Sequence, residues 1–258
     1  MNRVPIKNPF DLTGKVALIT GSTMGIGEGI ARVLAQQGAQ VIISSRKQDD
    51  CDRVAAEFRA QDLHADGKAC HIGKMEDIAE MYRHIDEKYG QIDILVNNAV
   101  LSPWRTIEDT EPGLFMKAVE VDLRGYWYMS TEAAKRMAQK GSGSIINISS
   151  ISALHPDKML SLYSTLKTAL IGMSRAFAME YGKQGVRANT ILPGVFPTRL
   201  ADAFDEETTR RMLEKICLGR FGAVEEIGYA VLYLGSAAGA YTTGASLVVD
   251  GGFSVPVL

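Results

Sequence analysis

Short runs of aliphatic and β-branched residues alternate along this chain with longer stretches of helical period, the arrangement of a parallel sheet whose crossover helices cover both faces. The apolar runs fall at residues 16–20, 41–45, 68–72, 92–96, 144–149, 186–192 and 246–249, so seven strands are expected. Val41-Ile42-Ile43 and Ile92-Asp93-Ile94-Leu95-Val96 are nearly continuous hydrophobic runs, as strands buried on both faces require. Between the first two runs, Ile26, Ile30, Val33 and Leu34 share one helix face ahead of Gly38; Ile78, Met81, Tyr82, Ile85 and Tyr89 repeat the pattern ahead of Gly90. A long helix is expected over residues 113–139, and another carries Tyr163.

No linker, repeat or low-complexity tract interrupts this rhythm. The expected fold is therefore α/β: a single Rossmann-type domain over residues 1–258, doubly wound around a seven-stranded parallel sheet. The least regular stretch is 196–218, where Pro197 and Asp205-Glu206-Glu207 break the βα alternation beyond a strand's carboxyl end. Ligands of open α/β sheets bind at that edge, so this insertion reads as a substrate lid, or else as an ordinary long connection.

Composition narrows the function class. At 46% hydrophobic and 22% charged residues, the chain can bury a core. Its net charge of −2, with both signs interspersed, offers no polyanion footprint, which argues against nucleic acid or an anionic membrane and for a small-molecule partner. No apolar run approaches membrane-spanning length, and residues 1–10 lack a signal core. Cys51, Cys70 and Cys217 are odd in number and lack the spacing of a metal site, so reduced thiols, a cytoplasmic location and no metal are expected.

Directly after the first run comes Thr20-Gly21-Ser22-Thr23-Met24-Gly25-Ile26-Gly27, opening a helix. Glycines allow a tight turn and close backbone approach to a pyrophosphate, and the helix N-terminus supplies free N–H groups. Glycines also serve simple turns, but here strand, turn and helix arrive in the order a dinucleotide site needs.

With three residues between its first two glycines, this segment resembles the short-chain dehydrogenase/reductase family, and the resemblance extends over essentially the whole chain. Asn97-Asn98-Ala99 matches the family's Asn-Asn-Ala-Gly; Ser150 follows the fifth strand; Tyr163 and Lys167 form its Tyr-x-x-x-Lys; Pro193-Gly194 and Thr198 follow the sixth. The resemblance implies a nicotinamide cofactor touching Gly21, Thr23, Met24, Gly25, Ile26, Gly27, Asn98, Ala99, Pro193, Gly194 and Phe196. It also implies that Lys167 bonds the nicotinamide ribose and that Thr198 meets the carboxamide, though Thr198 also suits a helix cap.

Cofactor choice is read at the end of the second strand, where an acid would hold both ribose hydroxyls of NAD. This chain has Ser44-Ser45-Arg46-Lys47. Arg46 can grip a 2′-phosphate with its planar fork and Ser45 can add a hydroxyl, which favours NADP(H); the bland reading is that Arg46 and Lys47 solvate a helix start.

Tyr163 and Lys167 share a helix face, which sets an ammonium beside a phenol. Lowering a phenol's pKa from 10 by about 3 units takes about 4 kcal/mol of differential stabilisation, which Lys167 and a charged nicotinamide are expected to supply. Tyr163 then donates a proton to a developing alkoxide held by Ser150, or accepts it in reverse.

Departures from the family pattern are specific. Asp122 stands where the family has an Asn completing a tetrad with Ser, Tyr and Lys. If only the backbone carbonyl matters the exchange is tolerable; if the carboxylate is ionised and close, it offsets Lys167's pull on Tyr163. Val100 replaces a glycine. His71-Ile72 replaces an Asp and a small apolar residue that bracket adenine, and His71 reads equally as an adenine contact or a plain strand-end histidine. Phe10 to Lys15 and Asp250-Gly251-Gly252 look like gluconate 5-dehydrogenase-type members, whereas Ser44 to Gln48 and Cys70 to Lys74 look like NADPH-dependent carbonyl and retinal reductases. Because the second likeness includes the cofactor-selecting strand end, a reductase is favoured.

Leu101, Ser102, Trp104, Ser152, His155 and Met159 are candidate pocket residues, mostly apolar, suiting a ketone or aldehyde. A homotetramer, or a homodimer, is what the resemblance implies, with Trp127-Tyr128-Met129 compatible with a shared surface. An NADP-binding sensor without catalysis is the rival reading, opposed by retention of Ser150, Tyr163 and Lys167. A methyltransferase is a third, opposed by the lack of an acid after the second strand.

Overall fold

The computed structural model describes residues 8–196 and 205–255. Seven strands form one parallel sheet: β1 (Val16–Thr20), β2 (Gln40–Ser44), β3 (Ala65–Gly67), β4 (Ile94–Asn97), β5 (Gly143–Ile148), β6 (Val186–Pro193) and β7 (Ser246–Val249), in the order β3-β2-β1-β4-β5-β6-β7. Every pairing is parallel, so all carboxyl ends lie along one edge. The order reverses between β1 and β4, which opens a crevice at their carboxyl ends.

Helices α1 (Gly25–Gln36), α2 (Gln48–Arg59) and α8 (Val224–Gly235) contribute to one layer, and α3 (Met75–Tyr89), α5 (Tyr126–Lys140) and α6 (Ser161–Tyr181) to the other; α4 (Pro112–Val119) and α7 (Glu206–Lys215) complete the set. Each layer has its own core. Ile19, Val41, Ile43 and Val96 point to the first, with Ile30, Val33, Leu34 and Phe58; Leu18, Ile42 and Leu95 point to the second, with Met81, Tyr82, Ile85 and Met137. Alternate residues of one strand thus face opposite cores, which is why both β1 and β2 read as unbroken apolar runs. The predicted faces of α1 and α3 are buried, and Gly38 and Gly90 close those helices with φ of +91° and +66°.

Two elements differ from expectation. The third strand was expected at 68–72 and lies at Ala65–Gly67. Beyond Gly67 the chain still bonds β2, from Lys68 N to Ile43 O (3.0 Å) and from Cys70 N to Ser45 O (2.8 Å), but His71 N turns to the Asp77 carboxylate at 2.9 Å. That side chain draws 71–72 out of the ladder, and Ile72 enters the second core instead.

The helix expected at 113–139 is present in length but not in kind. Between α4 and α5 the chain makes a π-helical turn over Glu120–Gly125. Gly125 presses against the segment after β3, where an added Cβ would stand 2.6 Å from the Ile72 carbonyl oxygen. The wide turn carries Asp122 into the protein, fully buried; such turns recur at functional sites.

Candidate active site

The crevice is built from backbone first. Gly21 has φ +68° and Gly25 φ +59°, values that suit glycine, and a Cβ on Gly27 would lie 2.2 Å from the Gly21 carbonyl oxygen. The helix can therefore start hard against the turn, with the first N–H groups of α1 directed at the crevice. Met24, extended at the N-cap, is exposed and Thr23 is buried; Glu28 in the first turn is held by Arg32 at 3.1 Å.

Polar side chains lock this turn to its neighbours. Ser22 Oγ donates to Ile19 O at 2.7 Å and accepts from Ser44 N at 2.9 Å, fixing the end of β2. Asn98 donates through Nδ2 to the carbonyls of Thr20 (3.0 Å) and Gly21 (3.1 Å), while Thr20 Oγ1 accepts from the amides of Asn98 and Ala99. Asn98 and Ala99 thus stand against the glycine turn, with the Asn98 amide group committed to it. Ser45 and the exposed Arg46 follow β2 at the same edge, and Ser45 N donates to Cys51 Sγ at 3.1 Å. His71 Nδ1 accepts from Gly73 N at 3.1 Å, which leaves Nε2 for another partner.

The chemical groups converge one strand further on. A cavity of about 250 Å³ is lined by Ser150, Tyr163 and Lys167 together with Ile26, Asn98, Ser102, Trp104, Ser152, Pro193, Gly194 and Phe196, and Met212 of α7 also reaches it. Ser150 stands just past β5 and Tyr163 and Lys167 one turn apart on α6, so the thirteen-residue separation in sequence closes into one site. Of the candidate pocket residues, Ser102, Trp104 and Ser152 line the cavity; Leu101, His155 and Met159 do not. Leu101 serves through its backbone, donating N–H to Asp122 Oδ1 at 2.8 Å. Thr198 lies outside the described residues, as does part of the expected lid.

Lys167 is almost fully buried; its Nζ donates to Ile148 O at 2.7 Å and to Tyr126 Oη at 3.4 Å, and it sits 5.7 Å from the Tyr163 ring centre. Burial lowers its pKa to about 8, a fall that the Asp122 charge resists. Tyr163 is raised above its ordinary value of 10.0: burial dominates, contact with the Ser150 hydroxyl works downward, and Asp122 adds to the rise. The lowered phenol expected from the sequence calls on Lys167 together with a charged nicotinamide, whose charge would have to offset this burial. Asp122 itself is pushed up to about 6 by burial, against the downward pull of Lys167 and of the Leu101 amide.

Beneath the cavity runs a buried polar chain. Asn97 Nδ2 donates to Ser130 Oγ and Asn147 Oδ1, Asn147 Nδ2 donates to Ser174 Oγ, and Thr190 Oγ1 donates to Ser174 Oγ at 2.7 Å, linking β4, β5, β6 and two helices. Sequence reasoning missed this chain, and it missed Thr20, Ser22 and Tyr126. For Tyr126 a signal existed, since it lies four residues beyond Asp122 and so on the same face.

The sequence family described as Enoyl-(Acyl carrier protein) reductase matches residues 21–254. The chain is 36% identical over 244 residues to Dehydrogenase/reductase SDR family member 4 of Oryctolagus cuniculus, covering 93% of this chain and 94% of that one. It is 34% identical over 252 residues to L-rhamnose 1-dehydrogenase (NAD(P)(+)) of Azotobacter vinelandii, covering 95% and 98%. Among solved structures, a gluconate 5-dehydrogenase from Burkholderia cenocepacia in complex with NADP and tartrate superposes with a TM-score of 0.92 at 31% identity, covering 96% of this chain and 98% of that one. With its seven-stranded doubly wound sheet, its glycine turn and these relatives, the chain belongs to the short-chain dehydrogenase/reductase family, whose members are nicotinamide-dependent oxidoreductases.

Proposed function

We propose that the protein is an NADP(H)-dependent oxidoreductase that reduces a ketone or aldehyde to an alcohol, or runs the reverse reaction. The observation that carries this reading is the convergence of Ser150, Tyr163 and Lys167 on one cavity beside the glycine turn. The cradle fits a dinucleotide: side chains are excluded at Gly21 and Gly27 by contacts of 2.8 Å and 2.2 Å, so the backbone can meet a pyrophosphate. Gly25, Ile26, Thr23 and Met24 flank that site, Asn98 and Ala99 form its far wall, and Pro193, Gly194 and Phe196 close the nicotinamide end.

The bound nicotinamide supplies or receives the hydride. Ser150 Oγ holds the substrate oxygen, and Tyr163 Oη gives its proton to that oxygen during reduction or takes it back during oxidation. Lys167 holds positive charge within reach of the phenol and of the nicotinamide ribose. Asp122 is a positioning group behind them. Trp104, Met212 and Phe196 give the substrate end apolar walls, which suits a carbonyl compound of middling hydrophobicity. The described part of the 196–218 segment, α7 with Met212 at the cavity, acts as its lid.

Arg46, exposed at the end of β2, takes the 2′-phosphate with Ser45, and His71 Nε2 reaches the adenine edge, beside Ile72. The Burkholderia structure, a gluconate 5-dehydrogenase with NADP, supports this cofactor and also favours a second reading, a polyol or gluconate-type dehydrogenase. A cytoplasmic location and a homotetramer complete the proposal. Trp127 and Tyr128, exposed beside an apolar groove between α5 and α6, suit a shared face, whereas Met129 of the same run is buried in the second core and takes no part in it.

Fluorescence titration with NADPH and NADH tests the cofactor assignment. NADPH binds more tightly, and Arg46→Ala weakens NADPH about 10- to 100-fold while leaving NADH unchanged. Equal loss for both cofactors, or tighter NADH binding to the wild type, moves the assignment to the NAD-dependent polyol class.

A further inference from the structure

Asp122 is a carboxylate that the π-helical turn carries into the protein interior. Its side chain is fully buried, Oδ1 accepts from Leu101 N at 2.8 Å, and Oδ2 is buried without a hydrogen-bond partner. A buried carboxylate oxygen normally finds at least one donor, so Oδ2 is held there by the π-helical turn and by the bond to Oδ1 rather than by bonding of its own.

The groups facing it can be named element by element. From α6 come Lys167 and Tyr163, both of which feel its charge. From α5 comes Tyr126, whose hydroxyl accepts from Lys167 and whose ionisation Asp122 also opposes. The loop after β4 presents the Leu101 amide alone. The segment after β3 offers the Gly73 carbonyl to Arg124, which also pairs with Glu120 at 3.4 Å, and ties the His71 ring back on Gly73. Lys167 is thus the cation nearest in effect to Asp122, and Tyr163 is the titratable group that its field reaches on the cavity side.

Resting on the reading of Tyr163 as general acid and base, we propose that Asp122 is a positioning residue whose buried charge keeps Tyr163 in its protonated, proton-donating form and so extends to higher pH the range over which the site is armed for carbonyl reduction. In reduction the carbonyl carbon takes the hydride from reduced NADP, the C=O π pair moves to oxygen, and that oxygen takes the Tyr163 proton. Oxidation needs the phenolate to accept a proton from the alcohol. A buried carboxylate stabilises the phenol against the phenolate and holds Lys167 as the ammonium, so it raises the pH at which the site changes from proton donor to proton acceptor. An asparagine would keep the bond from Leu101 and remove the charge.

The test is a spectroscopic pH titration of tyrosinate absorbance, taken as the difference between each protein and its Tyr163→Phe counterpart, in the wild type and in Asp122→Asn. Asp122→Asn keeps an oxygen for the Leu101 amide; Asp122→Ser, with circular dichroism as the check on folding, is the second variant. The Tyr163 step moves down by about one pH unit in both variants, as loss of one nearby charge requires. A step that does not move, or that lies out of reach in wild type and variants alike, overturns the proposal. If the step moves but Tyr163→Phe retains turnover, the charge coupling stands and the general-acid reading fails.

Discussion

At the scale of single residues, Asp122 and Lys167 carry opposite penalties that make pH a probe of the site. Asp122 has its folded pKa raised from 3.8 to about 6, so between those values the folded protein holds a proton that the unfolded chain has lost. Stability therefore falls as pH rises through that window, by about 3 kcal/mol for this group at most, with the full penalty present above pH 6. Lys167 is lowered from 10.5 to about 8, and here the unfolded chain holds the extra proton, so its contribution rises with pH from 8 to 10.5. Urea unfolding of the wild type and Asp122→Asn across pH 4 to 7 separates the first effect. The variant gains on the wild type as pH rises, by up to a few kcal/mol, and a gap independent of pH would contradict the assigned burial. Much at this scale was legible in the sequence: Ser150, Tyr163 and Lys167 do meet in one cavity. The upward shift of Tyr163 was not, because it depends on how deeply the ring is buried and where the Asp122 charge ends up.

At the scale of elements, the joint between turn and helix is the most demanding part of the fold. A Cβ at Gly27 would meet both the Gly21 carbonyl and Asn98 Nδ2, at 2.2 and 2.5 Å, and neither has room to retreat because Asn98 is bonded to the same carbonyl. Gly27→Ala therefore destabilises the protein by about 2 to 3 kcal/mol and weakens NADPH binding, measured by thermal unfolding with and without the dinucleotide. An unchanged melting temperature would show that α1 can slide away from the turn. Strand and helix positions were readable wherever burial on both faces imposed unbroken apolar runs, as in β1, β2 and β4. The third strand was misplaced because Lys68, Ala69 and Cys70 look no less strand-like than Ala65, Asp66 and Gly67; what ends it is the capture of His71 N by Asp77. The π-helical turn has no simple sequence pattern, since its cause lies across space, in the contact of Gly125 with Ile72.

At the scale of the whole molecule, strand order puts the described candidate site residues along one edge. The reversal between β1 and β4 sets the glycine turn, Arg46 and the segment after β3 to one side, and Ser150, Tyr163, Lys167 and Met212 to the other. An extended dinucleotide laid across that switch point would join the two halves. The buried chain from Asn97 through Asn147 to Thr190 braces the carboxyl ends of β4, β5 and β6 directly under the cavity. Ser150, directly after β5, and Tyr163 and Lys167, on α6, thus sit on elements packed against this brace, which favours fixed geometry between Ser150 and Tyr163. No helix among the described residues is long and apolar enough to cross a membrane.

The most direct test is NADPH consumption by the wild type and by Tyr163→Phe over a panel of ketones, aldehydes and 3-oxo esters, with NADPH affinity measured on the same samples. Expected are turnover by the wild type, unchanged NADPH binding by the variant, and a loss of turnover of at least about a thousandfold on removal of the phenolic proton. Near-normal turnover by the folded variant, or NADPH binding by the wild type with no turnover of any carbonyl compound, would contradict the proposed function.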